Sequence, residues 1–212
     1  ELDAFGTIYR RAGKWGRKVE VDPHSLQQHL GQISHAASAG EFVIAYLHHH
    51  HWEPDWRDVP HWVQTLARAC VDAGAGLFVS HGAPVLQSLE IYKGSAIFYG
   101  LGNFLFHTDP GTEPEWSPDE VWESLVAACH YDRSGKLHAI ELLPIAINGV
   151  AGVDREVPLV RLVPRAAVGR RAGRILKGFA DRSAMFGTEI EASEGLGRVR
   201  FAARARSLAA QK

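Results

Sequence analysis

The sequence predicts an α/β fold, and three observations carry the prediction. First, segments of helical periodicity alternate with short, continuous apolar runs, in the order helix, strand, helix, strand, between residues 22 and 79. Second, each apolar run is followed at once by ligand-type side chains: His48-His49-His50-His51 after one, Ser80-His81-Gly82 after the other. Such residues gather at the carboxyl ends of strands in open α/β sheets, so both segments are expected to face one crevice. Third, the 212 residues are 46% hydrophobic and 22% charged with a formal net charge of −1, which excludes intrinsic disorder, collagen-like repeats and coiled coil. No apolar stretch approaches the roughly 20 residues of a membrane span.

Residues 1–21 hold a basic patch from Arg10 to Lys18 and read as loop or edge strand. Asp22-Pro23 starts a helix, with Asp as N-cap and Pro in the first turn. Leu26, Leu30, Ile33 and Ala37 form its apolar stripe, and Gly40 ends it. Phe42 to Leu47 is expected to be a strand buried on both faces. Asp58 and Pro60 open a second helix with Trp62, Leu66, Ala69 and Ala73 inward and Gly74 at its close, and Leu77-Phe78-Val79 is the next strand. Together they form a βα crossover unit of a parallel sheet. Leu89–Tyr92 and Ala96–Tyr99 read as a hairpin turned at Lys93-Gly94. Gly100 to Asn103 is a glycine-punctuated loop, and 107–119 a long surface loop and candidate lid. Val121–Asp132 and Lys136–Leu143 form a second hairpin. Residues 157–163 are expected to be a strand and 166–183 a helix weakened by three glycines. Thr188–Glu191 and Val199–Phe201 form a final short pair.

Twelve histidines stand out, four of them in one internal run. Neutral imidazole is the commonest biological metal ligand, and Glu53 and Asp55 lie close by in sequence. Neighbouring side chains on extended backbone point to opposite faces, so His48 with His50, or His49 with His51, can share a site. The bland alternative is a polar loop whose histidines bond to solvent and backbone. Asn103 either orients a ligand or makes the turn, and Trp52, Trp56 and Trp62 either line a cleft or cover the core. The two cysteines, Cys70 and Cys129, exclude a disulfide framework and a Cys-rich zinc site. No phosphate-binding Gly-x-x-x-x-Gly-Lys-Ser/Thr loop, Gly-x-Ser-x-Gly elbow or His-Glu-x-x-His motif is present. Residues 161–212 carry 12 Lys/Arg against 4 Asp/Glu. That tail lacks interleaved aromatics, so it reads as a solvated basic face, with binding to an anionic surface as the alternative; no nucleic-acid partner is expected.

One long stretch resembles a known family. Val43-Ile44-Ala45-Tyr46-Leu47-His48, Trp52-Glu53-Pro54, Ala69 to Ala75, His81-Gly82, Val85-Leu86-Gln87, Glu90-Ile91-Tyr92-Lys93-Gly94 and Ile97 to Phe104 are similar to the CapA, or poly-gamma-glutamate biosynthesis, family of the calcineurin-like metallophosphatase superfamily. The resemblance implies a metallophosphatase-like layered β-sandwich flanked by helices, here partial. It also implies a site with divalent metal (Mn, Zn or Fe), dinuclear in the family, at the strand ends. On that basis His48 and His81 are expected as the catalytic metal ligands. His50 is a compensating ligand, and Glu53, Asn103 and Trp52 are supporting or substrate-contacting groups. Two departures stand against a complete site. The loop Ser80-His81-Gly82-Ala83-Pro84 lacks the family's second histidine, and nothing before Val43 supplies its Asp-bearing strand end or Gly-Asn-His motif.

Residues 1–150 are therefore expected to be a CapA-like region corresponding to the C-terminal half of the family's domain, and 151–212 a basic α/β extension. The expected function is metal-dependent, phosphatase-like hydrolysis in capsule or poly-gamma-glutamate biosynthesis. The substrate would be a polyanionic polymer or a phosphorylated small molecule, and the location the cell envelope if the likeness holds, the cytoplasm otherwise. The alternative is a degenerate, non-catalytic member that acts in envelope assembly by binding.

Overall fold

The structure, a computed structural model, describes residues 2–4, 7–9, 11, 13, 18–105, 119–147 and 163–201. Most of the expected 107–119 lid, nearly all of the 157–163 strand, most of the Arg10–Lys18 patch and the last basic residues lie outside the described residues.

The fold is mixed α/β and layered. Strands β1 (Leu2–Ala4) and β2 (Thr7–Tyr9) pair as a small hairpin. Helix α1 (Pro23–Ser38) starts as its sequence dictates, with the Asp22 carboxylate accepting from the Ser25 amide at 2.8 Å. Strand β3 (Ile44–His48), helix α2 (His61–Asp72) and strand β4 (Leu77–His81) make the crossover unit, and β3 and β4 are parallel. Helix α2 begins at Pro60 with no side-chain cap, so Asp58 does not open it; the Asp58 carbonyl instead accepts a hydrogen bond from Gln87. Strands β5 (Leu89–Tyr92) and β6 (Ser95–Phe98) complete a four-stranded sheet of order β3-β4-β6-β5. Their two-residue turn has Lys93 and Gly94 both at positive φ (50° and 89°), the geometry that matches strand twist.

A 3₁₀ turn at Asp119–Trp122 leads into β7 (Glu123–Tyr131), which pairs with β8 (Leu137–Ala146). Strand β9 (Arg165–Ala166) joins the edge of β8, and α3 (Gly169–Ala184) follows. Strands β10 (Ile190–Ser193) and β11 (Leu196–Val199) then extend this second sheet in the order β10-β11-β8-β7. The expected last pair is thus displaced: the chain turns at Glu194-Gly195, both at positive φ, a turn signal that the sequence reading passed over.

Alternation along the first sheet sorts its side chains between two cores. Phe78, Ile97 and Tyr99 face the helices, meeting Val63, Ala67 and Cys70 of α2. Leu77, Val79, Ala96 and Phe98 face the second sheet, meeting Leu125, Ile140 and Leu142 as well as Leu176 and Phe179 of α3. Helix α3 also reaches the first sheet through hydrogen bonds: the Ser183 hydroxyl accepts from the Leu89 amide at 3.0 Å, and Thr188 just beyond accepts from Ile91 at 3.1 Å.

One expectation is overturned. Strand β3 is not buried on both faces; it is an edge strand, with Ile44 57% and Tyr46 64% exposed. An apolar run predicts a central strand only if neighbours cover both sides, and among the described residues β3 pairs with β4 alone.

Phe179 is wholly buried where α3, the second sheet and the first sheet meet. Phe179→Ala should therefore destabilise the fold by about 3–5 kcal/mol, read as a lower urea midpoint at unchanged slope. A loss below about 1 kcal/mol would mean that α3 is not part of this core.

Candidate functional site

The site is built by continuing the β3–β4 ladder one step beyond its end. His48 pairs with His81 in register, and the next amide, that of His49, donates to the His81 carbonyl at 3.1 Å. This approach requires a residue without a side chain at position 82. Gly82 has φ +121°, and a Cβ there would lie 1.9 Å from the His49 carbonyl oxygen.

With the backbone held so, side-chain alternation divides the run. His48 and His50 lie together, ring centroids 5.0 Å apart and Nε2 atoms 3.0 Å apart. The His81 ring meets His48 edge-on at 5.2 Å. His49 and His51 turn the other way, to Trp62 of α2, at 4.9 and 6.4 Å. The structure thus brings His48, His50 and His81 into one cluster on the free margin of the sheet. Trp52 lies beside His50 at 5.4 Å and against Trp56 at 5.6 Å. Glu53 lines the cleft of about 760 Å³ that His50, His61, Trp52, Trp56 and Trp62 also line. Asn103 is placed differently: its side-chain amide donates to the Val121 carbonyl at 3.1 Å and so holds the 3₁₀ turn.

The sequence reading missed the residue that anchors this loop. Gln87 is fully buried and its Nε2 donates to the carbonyls of Trp56 and Asp58, both at 3.0 Å. A Gln inside an apolar segment, Val85 to Leu89, was the available signal, since a buried amide must find partners. Other residues of the family-like strings are structural too. Glu90, buried, accepts from Arg68 at 3.1 Å and from the Tyr99 hydroxyl at 2.5 Å.

Burial acts on two of these histidines, His81 and His49. His81 is held below the ordinary histidine value by desolvation first and by His48 and His50 second, which keeps its lone pair available. His49, buried behind Trp62, is pushed down to about 4, again chiefly by desolvation, then by His51, His50 and His48. Imidazole nitrogen is a donor of the kind transition-type cations take, and the facing His48 and His50 Nε2 atoms lie 3.0 Å apart. Among the described residues no group of three or more His, Cys, Asp or Glu side chains is arranged to hold a metal ion.

Residues 6–108 match the family described as bacterial capsule synthesis protein PGA_cap. The PGA biosynthesis protein CapA of Bacillus subtilis (strain 168) is 41% identical over 129 residues, 60% of this chain and 31% of that protein. The capsule biosynthesis protein CapA of Bacillus anthracis is 49% identical over 57 residues, 26% of this chain and 14% of that one. An uncharacterised protein of Sinorhizobium fredii is 35% identical over 102 residues, 48% of this chain and 22% of its own length. The chain therefore spans less than a third of each of these curated relatives.

His49 generates a pH dependence. Its folded value of about 4 lies below the ordinary 6.5, so the unfolded chain binds the extra proton in between. Stability is full above pH 6.5 and is lost as pH falls from 6.5 toward 4. Denaturant titrations across that window should show a shallower fall for His49→Leu than for the parent chain. Parallel curves would place His49 in water.

Proposed function

We propose that this chain, whose residues 6–108 match the bacterial capsule synthesis family, acts in capsule or poly-gamma-glutamate biosynthesis and that its strand-end histidines serve a metal-dependent, phosphatase-like hydrolysis. The observation that carries the reading is the in-register pair His48 and His81 at the carboxyl ends of adjacent parallel strands, with His50 folded back so that its Nε2 lies 3.0 Å from that of His48. His48, His50 and His81 would present nitrogen ligands to one divalent ion (Mn, Zn or Fe). Oxygen ligands, and any second ion, would come from residues other than this cluster. Such an ion supplies Lewis acidity, acidifying a bound water and offsetting charge on a phosphoryl oxygen.

The chain's own groups have separable parts in this reading. The His49–His81 backbone bond fixes the spacing of the imidazoles. Trp52 covers one side of His50 and limits water there. Glu53, in the same cleft, is the carboxylate available to accept a proton from a bound nucleophile or to lend an oxygen ligand. A phosphorylated small molecule or a polyanionic polymer would meet imidazole N–H donors and the three tryptophans.

A second reading has its own observation. The loop reads Ser80-His81-Gly82-Ala83-Pro84, with alanine and no second histidine, and no three described side chains are set for a metal. This favours a domain that binds without turning over.

One experiment separates the two. In the longest natural form of the protein, metal content and hydrolysis of a generic phosphodiester are measured for the parent, His48→Ala and His81→Ala. The hydrolytic reading expects bound metal to fall about tenfold or more in each variant, with activity lost. Metal bound without turnover supports the binding reading, and metal content unmoved by both substitutions refutes the histidine site.

A further inference from the structure

Helix α1 carries an apolar stripe, Leu26, Leu30, Ile33 and Ala37, yet none of its residues is buried. The reason is a wedge. At its C-terminal end α1 lies tight against the α2–β4 corner: a Cβ on Gly74 would lie 2.6 Å from that of Ala37. Toward its N-terminal end it stands away from the sheet and leaves a cleft of about 470 Å³. Leu26, Ile33, Leu47, Leu66 and Phe78 give that cleft an apolar wall, and its volume lies in the range of small-molecule sites.

This cleft adjoins a second one. Val19, His51 and Trp62 line both it and the histidine–tryptophan cleft at the start of α2. The slot is mainly apolar, with Glu20, Ser25, His29 and Gln32 also along it, and past Trp62 the surroundings become more polar. His50, His51 and His61 offer N–H donors there, with one carboxylate, Glu53, and with Lys18 ion-paired to Glu20 at the rim. An apolar slot that opens onto a donor-rich chamber matches a ligand of the same build.

We propose that the two clefts together bind a linear amphiphile, its alkyl or prenyl chain between α1 and the sheet and its anionic head, a phosphate or carboxylate, among His50, His51 and His61. The chain explains why α1 leaves its stripe half-covered, because the ligand completes the packing. The head accepts from the imidazoles across Trp62. Binding requires no metal, so it stands or falls separately from the hydrolytic reading.

The test is calorimetric titration of the 212-residue chain, with a chelator present, using decyl and dodecyl phosphate, dodecanoate and dodecyl maltoside below their micellar concentrations. The proposal expects saturable binding of one molecule per chain, with affinity rising about fourfold for each methylene from decyl to dodecyl phosphate. Dodecyl phosphate against dodecanoate identifies the preferred head. Leu26→Trp, which fills the slot from α1, should weaken binding at least tenfold, and His51→Ala should weaken the anionic ligands more than the maltoside. Should Leu26→Trp fail to fold, the chain-length series decides alone. Absence of saturable binding, or an affinity indifferent to chain length, overturns the proposal; a maltoside bound as tightly as the phosphate overturns its head-group half.

Discussion

The candidate site rests on one backbone contact, the hydrogen bond from the His49 amide to the His81 carbonyl. It carries the parallel ladder of β3 and β4 one residue past the strands, and it forms only because Gly82 leaves room for the His49 carbonyl. Once the ladder is extended, side-chain alternation continues into the loop. His48 and His50 are then placed together beside His81, and His49 is carried inward onto Trp62. A second anchor, Gln87, holds the far end of the same loop by its hydrogen bonds to Trp56 and Asp58. The site is thus a loop tied at both ends to a rigid sheet, which limits the freedom of its imidazoles without a metal to gather them.

The layers behind the loop have a different task. The helix-side core and the sheet-to-sheet core meet across one four-stranded sheet, and α3 closes the latter by packing Leu176 and Phe179 against it. Buried ion pairs mark the seams. Glu123, almost fully buried on β7, is paired with Arg171 and Arg174 of α3; burial raises its carboxyl and the two guanidiniums oppose that rise. On the other side β3 remains an edge, with Ile44 and Tyr46 exposed and His48 at its tip. Among the described residues the histidine cluster therefore lies at a margin of this sheet.

Much of this was legible in the sequence, for reasons that can be named. Asp22-Pro23 and Lys93-Gly94 are local signals whose geometry does not depend on the rest of the fold, and both elements form where they predict. The alternation of imidazoles follows from backbone period alone, and the family-like strings contain His48 and His81. What failed needed long-range knowledge. Whether Phe42 to Leu47 is central or marginal depends on a neighbouring strand, which the run itself does not encode. The start of α3 was placed too early because Gly169 adopts φ +57° after a short strand, Arg165–Ala166, that only β8 makes possible. Gln87 and Asn103 show the limit for single polar residues. One proved to be the anchor of the loop and the other a tie to the 3₁₀ turn, and neither role can be read without its partner.

The proposed metal site takes its nitrogen side from His48, His50 and His81, which the His49–His81 bond brings together. Crystals of the chain equilibrated with Mn²⁺ or Zn²⁺ and measured at the metal's absorption edge test this most directly. The account predicts an anomalous peak about 2.0–2.1 Å from ring nitrogens of His48 and at least one of His50 and His81. A map without a peak at the strand ends, or with the ion held only by other residues, would contradict it.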